Sequence, residues 1–396
     1  MQQQHYDVII GGGAMNGLTL ALALNTFSAS KLRIAVIEKR QRSQQQGVGF
    51  DSRCVALSDG TCRKLNRIKV NDKTTLWQQI QSFAEPIKQV HVSERGHSGI
   101  VEINAEELHL AQLGVVVSLQ DMGNTFAQAL IQYPNIELFC PHFIEQITVS
   151  SDQVKVILDD QRCLTGSILV AADGTDSQLA QLVGIASEEL YDFQQSAIIA
   201  NVVVSEAHQG RAFERFTPEG PIALLPMADK MMSLVFCTKT PETLLALDDQ
   251  QFLTHLQQSF GWRLGQFKSV SKRYAYPLKV KRSATYVGQR FALVGNAAQT
   301  LHPVAGQGFN LGIRDVFALA EAIVKAEDIG SDQMLQQYQA ERLQDQQRII
   351  GLTTNLVQIF SNELLPLQVL RHVGLISLSQ CATLRHTFVQ PTLGRI

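Results

Sequence analysis

Charge is scarce in this chain: Asp, Glu, Lys and Arg make up only 18% of its 396 residues, below the usual quarter. Its 34 basic and 36 acidic side chains leave a net charge of -2, so no basic excess points to nucleic acid as a partner. Cys54, Cys62, Cys140, Cys163, Cys237 and Cys381 are too scattered to form a CxxC pair or a Cys/His cluster of metal-ligand spacing. No metal site is expected, and the cysteines read as buried thiols of a reducing compartment. No apolar run approaches the roughly 20 residues that span a bilayer. The opening Met1-Gln2-Gln3-Gln4-His5 lacks the basic region and apolar stretch of a signal peptide. The expected location is therefore cytoplasmic. GxSxG, HExxH and P-loop patterns are also missing, which argues against a serine hydrolase, a zinc peptidase and an NTPase.

What is present is a strand, a glycine turn, a helix and a second strand within the first 40 residues. Tyr6-Asp7-Val8-Ile9-Ile10 is a short apolar run of the kind buried in a parallel sheet. Gly11-Gly12-Gly13-Ala14-Met15-Asn16-Gly17 follows at once, then an apolar helix from Leu18 to Leu24, then a strand from Arg33 to Ile37 ended by Glu38. Another buried strand, Ser167 to Ala172, is capped by Asp173-Gly174, and Phe291 to Val294 opens into Gly295. Between these lie short alternating segments at 90–117, 144–158, 197–204 and 211–236, read as antiparallel strands. Helices are expected near 124–132, 308–325 and 332–360, and the last 30 residues read as helical and apolar. The fold class is α/β: a Rossmann-type nucleotide-binding domain with a parallel sheet, interleaved with an antiparallel-sheet substrate domain and followed by a helical C-terminus. The expected division assigns 1–80, 118–190 and 286–350 to the first, 81–117 and 191–285 to the second, and 351–396 to the C-terminal helices.

The best register of the glycine turn is Gly12-x-Ala14-x-x-Gly17. Gly12 permits the sharp turn, Ala14 lets the backbone approach a pyrophosphate provided its φ is negative, and Gly17 lets helix and strand pack closely. Gly11-x-Gly13 is a second register, but it puts Asn16 at the helix-packing position. Phosphates would rest on helix N–H groups and the positive helix end, and Glu38 can accept hydrogen bonds from both ribose hydroxyls. Far downstream, glycines at 306 and 308 lie between a strand that ends at Gly295 and a helix that starts near Gly308. The N-terminus of that helix can stabilise an anion.

The N-terminal turn with Glu38, the run Val170-Ala171-Ala172-Asp173-Gly174 and the run from Gly295 to Gly312 occur here in one order. In that order and spacing they resemble the FAD-dependent aromatic hydroxylases, the single-component flavin monooxygenases. Gly295-Asn296-Ala297-Ala298-Gln299-Thr300-Leu301-His302-Pro303 and Gly210-Arg211-Ala212-Phe213-Glu214-Arg215-Phe216 are similar to the ubiquinone-biosynthesis branch. The resemblance implies an FAD-binding domain in which Gly12, Ala14, Gly17 and Glu38 hold the adenosine and pyrophosphate. Arg53 would meet the ribityl and phosphate region, and Asp173 and Gly174 would form the DG motif near FAD. Gly295 and Asn296 would sit at the ribityl chain; Asn296 stands where most of the superfamily has Asp, and Gln299 where His is common. Pro303 would lie beside the substrate hydroxyl and flavin C4a. Gly306, Gln307, Gly308 and Asn310 would line the flavin ring, with Pro303, Gly306, Gln307 and Gly308 as the residues nearest the chemistry.

The implied reaction is hydroxylation of a polyprenylated methoxyphenol by a C4a-hydroperoxyflavin, with NAD(P)H as electron donor and O2 as co-substrate. A hydroxylase of another phenol or ring position, a prenyl-chain flavoprotein reductase and a non-catalytic FAD-holding subunit are the alternatives. His302 reads as a structural or solvent-facing histidine in preference to a proton acceptor. Arg215 reads as an edge-strand charge in preference to a phenolate contact, and Cys54 as packing. Leu352, Leu356, Ile359, Phe360, Leu364, Leu367 and Leu370 are spaced broadly as helices. They read as packing on the nucleotide domain or on a subunit partner, the alternative being a peripheral contact with the inner membrane or a biosynthetic complex.

Overall fold

The computed structural model describes residues 4–41, 53–97, 99–361 and 393–394, with Ala305 and residues 355–361 described by their backbone alone. β1 (Gln4–Gly11) passes through the glycine turn into α1 (Met15–Phe27) and β2 (Ile34–Ile37). β3 (Cys54–Ser58) leads into α2 (Asp59–Leu65), and α3 (Leu76–Ile80) opens with a capping box between Thr75 and Gln78. β4 (Glu85–Ile87), β5 (Gln89–Glu94), β6 (Ile100–Asn104) and β7 (Gly114–Ser118) precede α4 (Leu119–Leu130). β8 (Ile136–Phe139), β9 (Ile144–Val149), β10 (Val154–Leu158) and β11 (Cys163–Ala171) precede α5 (Gln178–Leu182). Four strands follow, β12 (Ser187–Val204), β13 (Arg211–Phe216), β14 (Pro221–Pro226) and β15 (Met231–Thr238), then α6 (Pro241–Ala246) and α7 (Asp249–Phe260). The described chain closes with β16 (Phe267–Val270), β17 (Tyr274–Ser283), β18 (Val287–Gly288), β19 (Phe291–Leu293), β20 (Gln299–Thr300), α8 (Gln307–Lys325) and α9 (Asp332–Ser361).

The fold is α/β with one largely parallel and one largely antiparallel sheet, as expected. The first sheet runs β18-β19-β11-β1-β2-β8, with the β9–β10 hairpin on β11. β1 pairs parallel with both β2 and β11, which aligns Gly11 with Ile37 and Ala171 at one end of the sheet. Strand alternation sends Val8, Ile10, Val36 and Val170 to one face and Ile9, Ala35, Ile37 and Leu169 to the other, and both sets are buried. On the first face α1 packs with Leu18, Leu20, Leu22 and Leu24 all buried. Each such leucine contributes about 1.5–3 kcal/mol. The second sheet runs β20-β17-β12-β15-β14-β13-β5-β6, with β16 on β12, and a small third sheet is β3-β7-β4.

Several element ends differ from the expectation for local reasons. α4 starts at Leu119, earlier than 124, because Ser118 Oγ accepts from Asp121 N–H and caps it. β12 starts ten residues before the expected strand, at Ser187. Its first half is polar and exposed, so it carries no apolar alternation, and pairing with β17 from Ser187↔Ser283 onward orders it. α7 was not anticipated, although the Asp248–Gln251 capping box marks its start. α9 runs on to Ser361. The rest of the proposed C-terminal helical surface, from Leu364 onward, and Cys381 lie outside the described residues.

Candidate active site

The glycine turn is shaped by what a Cβ would hit. Gly12 has φ +111, and a Cβ there would stand 2.4 Å from the Ala172 carbonyl oxygen. Its N–H donates to Ile37 O at 2.8 Å, which ties the turn to β2. A Cβ on Gly17 would lie 1.9 Å from Gly12 O, so the helix can begin this close to the turn only with glycine. Ala14 adopts φ -81 and ψ -170 and precedes the first turn of α1, which no side chain caps. The negative φ that an alanine needs is met. The uncapped N–H groups and the helix dipole form an anion site.

Glu38, at the end of β2, meets the same turn. Its Oε2 accepts from Gly13 N–H at 2.7 Å and its Oε1 from Arg40 N–H at 2.8 Å. A Cβ on Gly13 would stand 2.7 Å from Glu38 Cβ, so Gly13 makes room for the carboxylate. Beside them, Asp173 accepts from Ser177 Oγ at 2.5 Å and from Leu179 N–H at 3.2 Å, starting α5. Gly174 follows at φ +89 with open space where a side chain would be. These residues fit a dinucleotide: a backbone cradle that a Cβ would fill, an uncapped helix end and a fixed carboxylate.

The downstream loop joins this turn through Asn16, which sequence reasoning used only to reject a register. A Cβ on Gly295 would lie 1.9 Å from Asn16 Nδ2, and one on Gly312 2.7 Å from it. Both glycines therefore let α1, the Gly295 turn and α8 converge. Gly295 has φ +63, and Asn296 beside it is exposed. Asp315, a residue the sequence reading passed over, holds the turn in place. It is 0% exposed and accepts from Gly295 N–H at 3.2 Å, Gln299 Nε2 at 2.8 Å, Arg342 Nε at 2.8 Å and Gln346 Nε2 at 3.1 Å. Arg342 also pairs with Asp345 at 2.6 Å, and Asp345 with Arg314 at 2.7 Å. Burial pushes the Arg342 guanidinium down, but Asp315 and Asp345 outweigh it and hold its proton more tightly than usual. The available signal was two charged residues, Arg314 and Asp315, inside the otherwise apolar stretch Leu311–Ala320.

Gly306 precedes α8 at φ +60, where a Cβ would touch Ala56 Cβ at 3.3 Å. Gln307 is buried, and Gly308 faces open space, with nothing within 4 Å of an added Cβ. Pro303 lies half-buried at the start of this turn. Asn310 has all four of its hydrogen-bonding positions filled by protein. Its Oδ1 accepts from Ser58 N–H at 2.9 Å and Thr61 Oγ1 at 2.7 Å, and its Nδ2 donates to Ala56 O at 3.0 Å and Gly306 O at 2.7 Å. An amide has no further capacity, so this side chain positions β3 and α2 against the loop, and any ligand contact falls to its backbone. Arg53 Nη1 donates to Tyr276 Oη at 3.3 Å, bridging to the large antiparallel sheet.

That sheet has two unlike faces. Ile198, Phe213, Ile222, Leu224, Leu234 and Phe236 are buried in the cluster that includes α7 residues Phe252, Leu256 and Phe260. On the opposite face Tyr274, Ile199, Val235, Ala223 and Glu214 lie side by side in register across five strands, and all five are only half-buried. The β12 end of this face meets the loop through Phe193. Phe193, which like Ile199 and Val235 packs against Ala197, Cys237 and Leu278, has its ring 4.7 Å from that of His302. Leu225 and Met227 pack with Cys54 and Ala56. Arg215 lies on the other face, on an internal strand and not an edge. It donates to Ser259 O at the end of α7 and to Ser93 Oγ, both at 3.2 Å, and does not point freely to solvent. His302 is 0% exposed and not solvent-facing, and burial pushes its imidazole down to about 4.

Known proteins share this arrangement. The family model described as FAD binding domain matches residues 5–353. The chain is 32% identical to ubiquinone hydroxylase UbiL of Rhodospirillum rubrum, over 98% of this chain and 90% of that one. It is 29% identical to the 3-demethoxyubiquinol 3-hydroxylase of Escherichia coli, over 98% of this chain and 97% of that one. The solved structure of p-nitrophenol 4-monooxygenase PnpA of Pseudomonas putida matches with a TM-score of 0.80 over the whole of both chains at 18% identity, which is a likeness of fold.

Proposed function

This chain belongs to the FAD binding domain family and is a flavoprotein monooxygenase, and from that premise we propose that it hydroxylates the ring of a polyprenylated methoxyphenol in ubiquinone biosynthesis. NAD(P)H would be the electron donor and O2 the oxidant. The observation that carries the reading is the half-buried row on the sheet face that meets His302 through Phe193: four side chains are apolar or aromatic, and Glu214 ends the row. Such a wall suits an aromatic ring with an apolar tail. The names of the two hydroxylase relatives support the ubiquinone assignment.

When bound, FAD supplies the oxygen-activating chemistry. Gly12, Ala14, Gly17 and Glu38 would hold its adenosine and pyrophosphate, and Gly295, Asn296, Gly306 and Gly308 its flavin end. Arg53, Asp173 and Gly174 would border the cofactor. The N–H groups at the start of α8 would stabilise negative charge beside them, and Pro303 would border the reacting ring position. The apolar row excludes water from the ring and orients it. The protein would approach the inner membrane peripherally from the cytoplasmic side, where a polyprenyl chain resides. No helix among the described residues is long and apolar enough to cross a membrane.

The test is anaerobic reduction of the FAD-loaded protein with NADH or NADPH, followed by oxygen-18, with a short-chain polyprenyl methoxyphenol present or absent. Labelled oxygen on the ring, with little peroxide, is the expected result. Saturation of a prenyl double bond, or donor oxidation with no label on the ring, would overturn the reading in favour of a reductase or a non-catalytic FAD protein.

A further inference from the structure

His302 is buried in the loop that joins the two halves of the site. Its Nδ1 accepts from Val304 N–H at 3.2 Å, so this nitrogen carries no proton. The neutral ring must then bear its proton on Nε2, as a donor. Among the described residues Nε2 has no hydrogen-bond partner. A buried donor without an acceptor costs about 1–3 kcal/mol, and the ring it lies against, Phe193, offers at most a weak N–H contact with its face. Replacing the imidazole with an apolar ring would fill the same space beside Phe193. His302 precedes Pro303 and touches Phe193, which belongs with Ile199 and Val235 to the half-buried sheet face. The ring that carries the unused donor therefore lies where the loop meets Phe193, and a substrate oxygen reaches Nε2 as the buried contacts around it part.

We propose that His302 is a specificity-determining residue whose Nε2–H donates to an oxygen substituent of the substrate ring, the hydroxyl or methoxy oxygen of a phenol ether. This rests on the ring-hydroxylase reading above. The imidazole is fixed from behind by Val304, so the donor is pre-oriented and gives the apolar wall its one directional polar contact from the loop side. An aromatic compound of the same shape without ring oxygen fits the wall but leaves the donor unpaired, and is selected against.

The experiment uses the oxidised, FAD-loaded protein and two probes that share one short prenyl chain, a methoxyphenol and the corresponding ring without oxygen substituents. Affinities are read from the perturbation of flavin absorbance. Wild type should prefer the oxygenated probe by about 3- to 10-fold, the range of one neutral hydrogen bond. His302→Asn can still accept from Val304 N–H but lacks the distal donor, and His302→Phe lacks both. Both should lose the preference, with KM rising more than kcat falls. His302→Gln extends an amide N–H to about the distal position and should restore part of the preference. A preference that survives His302→Asn overturns the proposal. So does a changed FAD affinity or reduction potential with selectivity intact, which would assign the donor to the flavin. A lowered melting temperature alone would assign it to an N–H contact with the Phe193 ring. Probe selectivity that depends on His302 in a protein that puts no labelled oxygen on the ring would sink the hydroxylase reading alone. Normal hydroxylation with selectivity indifferent to His302 would sink this proposal alone.

Discussion

The two ends of the proposed cofactor site are built by different means. At the phosphate end, Gly12, Ala14, Gly17 and Glu38 act through backbone geometry within a span shorter than 30 residues, and the clearances are steric. At the flavin end, the Gly295-to-Asn310 segment is held by contacts with remote elements: Asp315, itself fixed by Arg342 of α9, accepts from Gly295 N–H, and the Asn310 amide accepts from Ser58 N–H at the end of β3 and from Thr61 Oγ1 of α2. A local steric motif tolerates almost no change at its glycines but survives change elsewhere. A networked loop should instead be vulnerable at buried residues that never touch a ligand.

The sharpest way to break this contrast is at Asp315. Asp315→Asn leaves Arg342 with Asp345 alone as countercharge, and since orphaning a buried charge outright costs about 3–5 kcal/mol, the loss should be a sizeable part of that. Thermal unfolding should show that loss, with the flavin end failing before FAD affinity at the phosphate end; an unchanged melting temperature would refute the clamp. Gly308→Val comes next. Open space surrounds the added side chain, so the protein should fold, while the branched group enters the proposed flavin position. Even a shift of about 1 Å can cost on the order of 10²-fold in rate. Hydroxylation should collapse and residual donor oxidation should release peroxide; a fully coupled variant would remove Gly308 from the site.

Glu38→Ala tests the phosphate end. It removes a carboxylate whose hydrogen bonds to ribose would be worth about 0.5–1.5 kcal/mol net each, so FAD titration should show binding weakened several-fold or more. Unchanged affinity would break the register Gly12-x-Ala14-x-x-Gly17. The smallest effect belongs to Ala14→Gly. Because φ at Ala14 is -81, the glycine variant should bind FAD as before and lose about 0.4–1 kcal/mol through the unfolded chain. Ala14→Val, which crowds the pyrophosphate, should bind FAD more weakly. Tight binding by the valine variant would place the phosphates elsewhere.

Much of the fold was legible because its signals are local. The apolar run at Tyr6–Ile10, the glycines and the apolar helix predict β1, the turn and α1, and all three form. The exposed half of β12 and the whole of α7 were not legible from apolar periodicity. The first is ordered by pairing with a strand about 90 residues away, and the second announces itself only by its cap. In the site, Asn310 was read as a ligand-lining residue, yet its amide is spent on β3 and α2. Arg215 was weighed between edge strand and substrate, yet it ends α7 from an internal strand. In both cases the residue type was correctly seen as unusual, while its partner was out of reach.

By itself the sequence determined the glycine turn, since Gly12, Gly17 and Glu38 answer to steric and electrostatic demands among near neighbours in the chain. Only the tertiary structure decided the rest of the site. Asp315 becomes a clamp when α9 brings Arg342 against it. The row from Tyr274 to Glu214 becomes a wall when five strands align in register. His302 becomes a neutral donor when burial beside Phe193 strips away the water that would otherwise let it titrate. A polar side chain acquires its role from its partner and its exposure, and packing sets both.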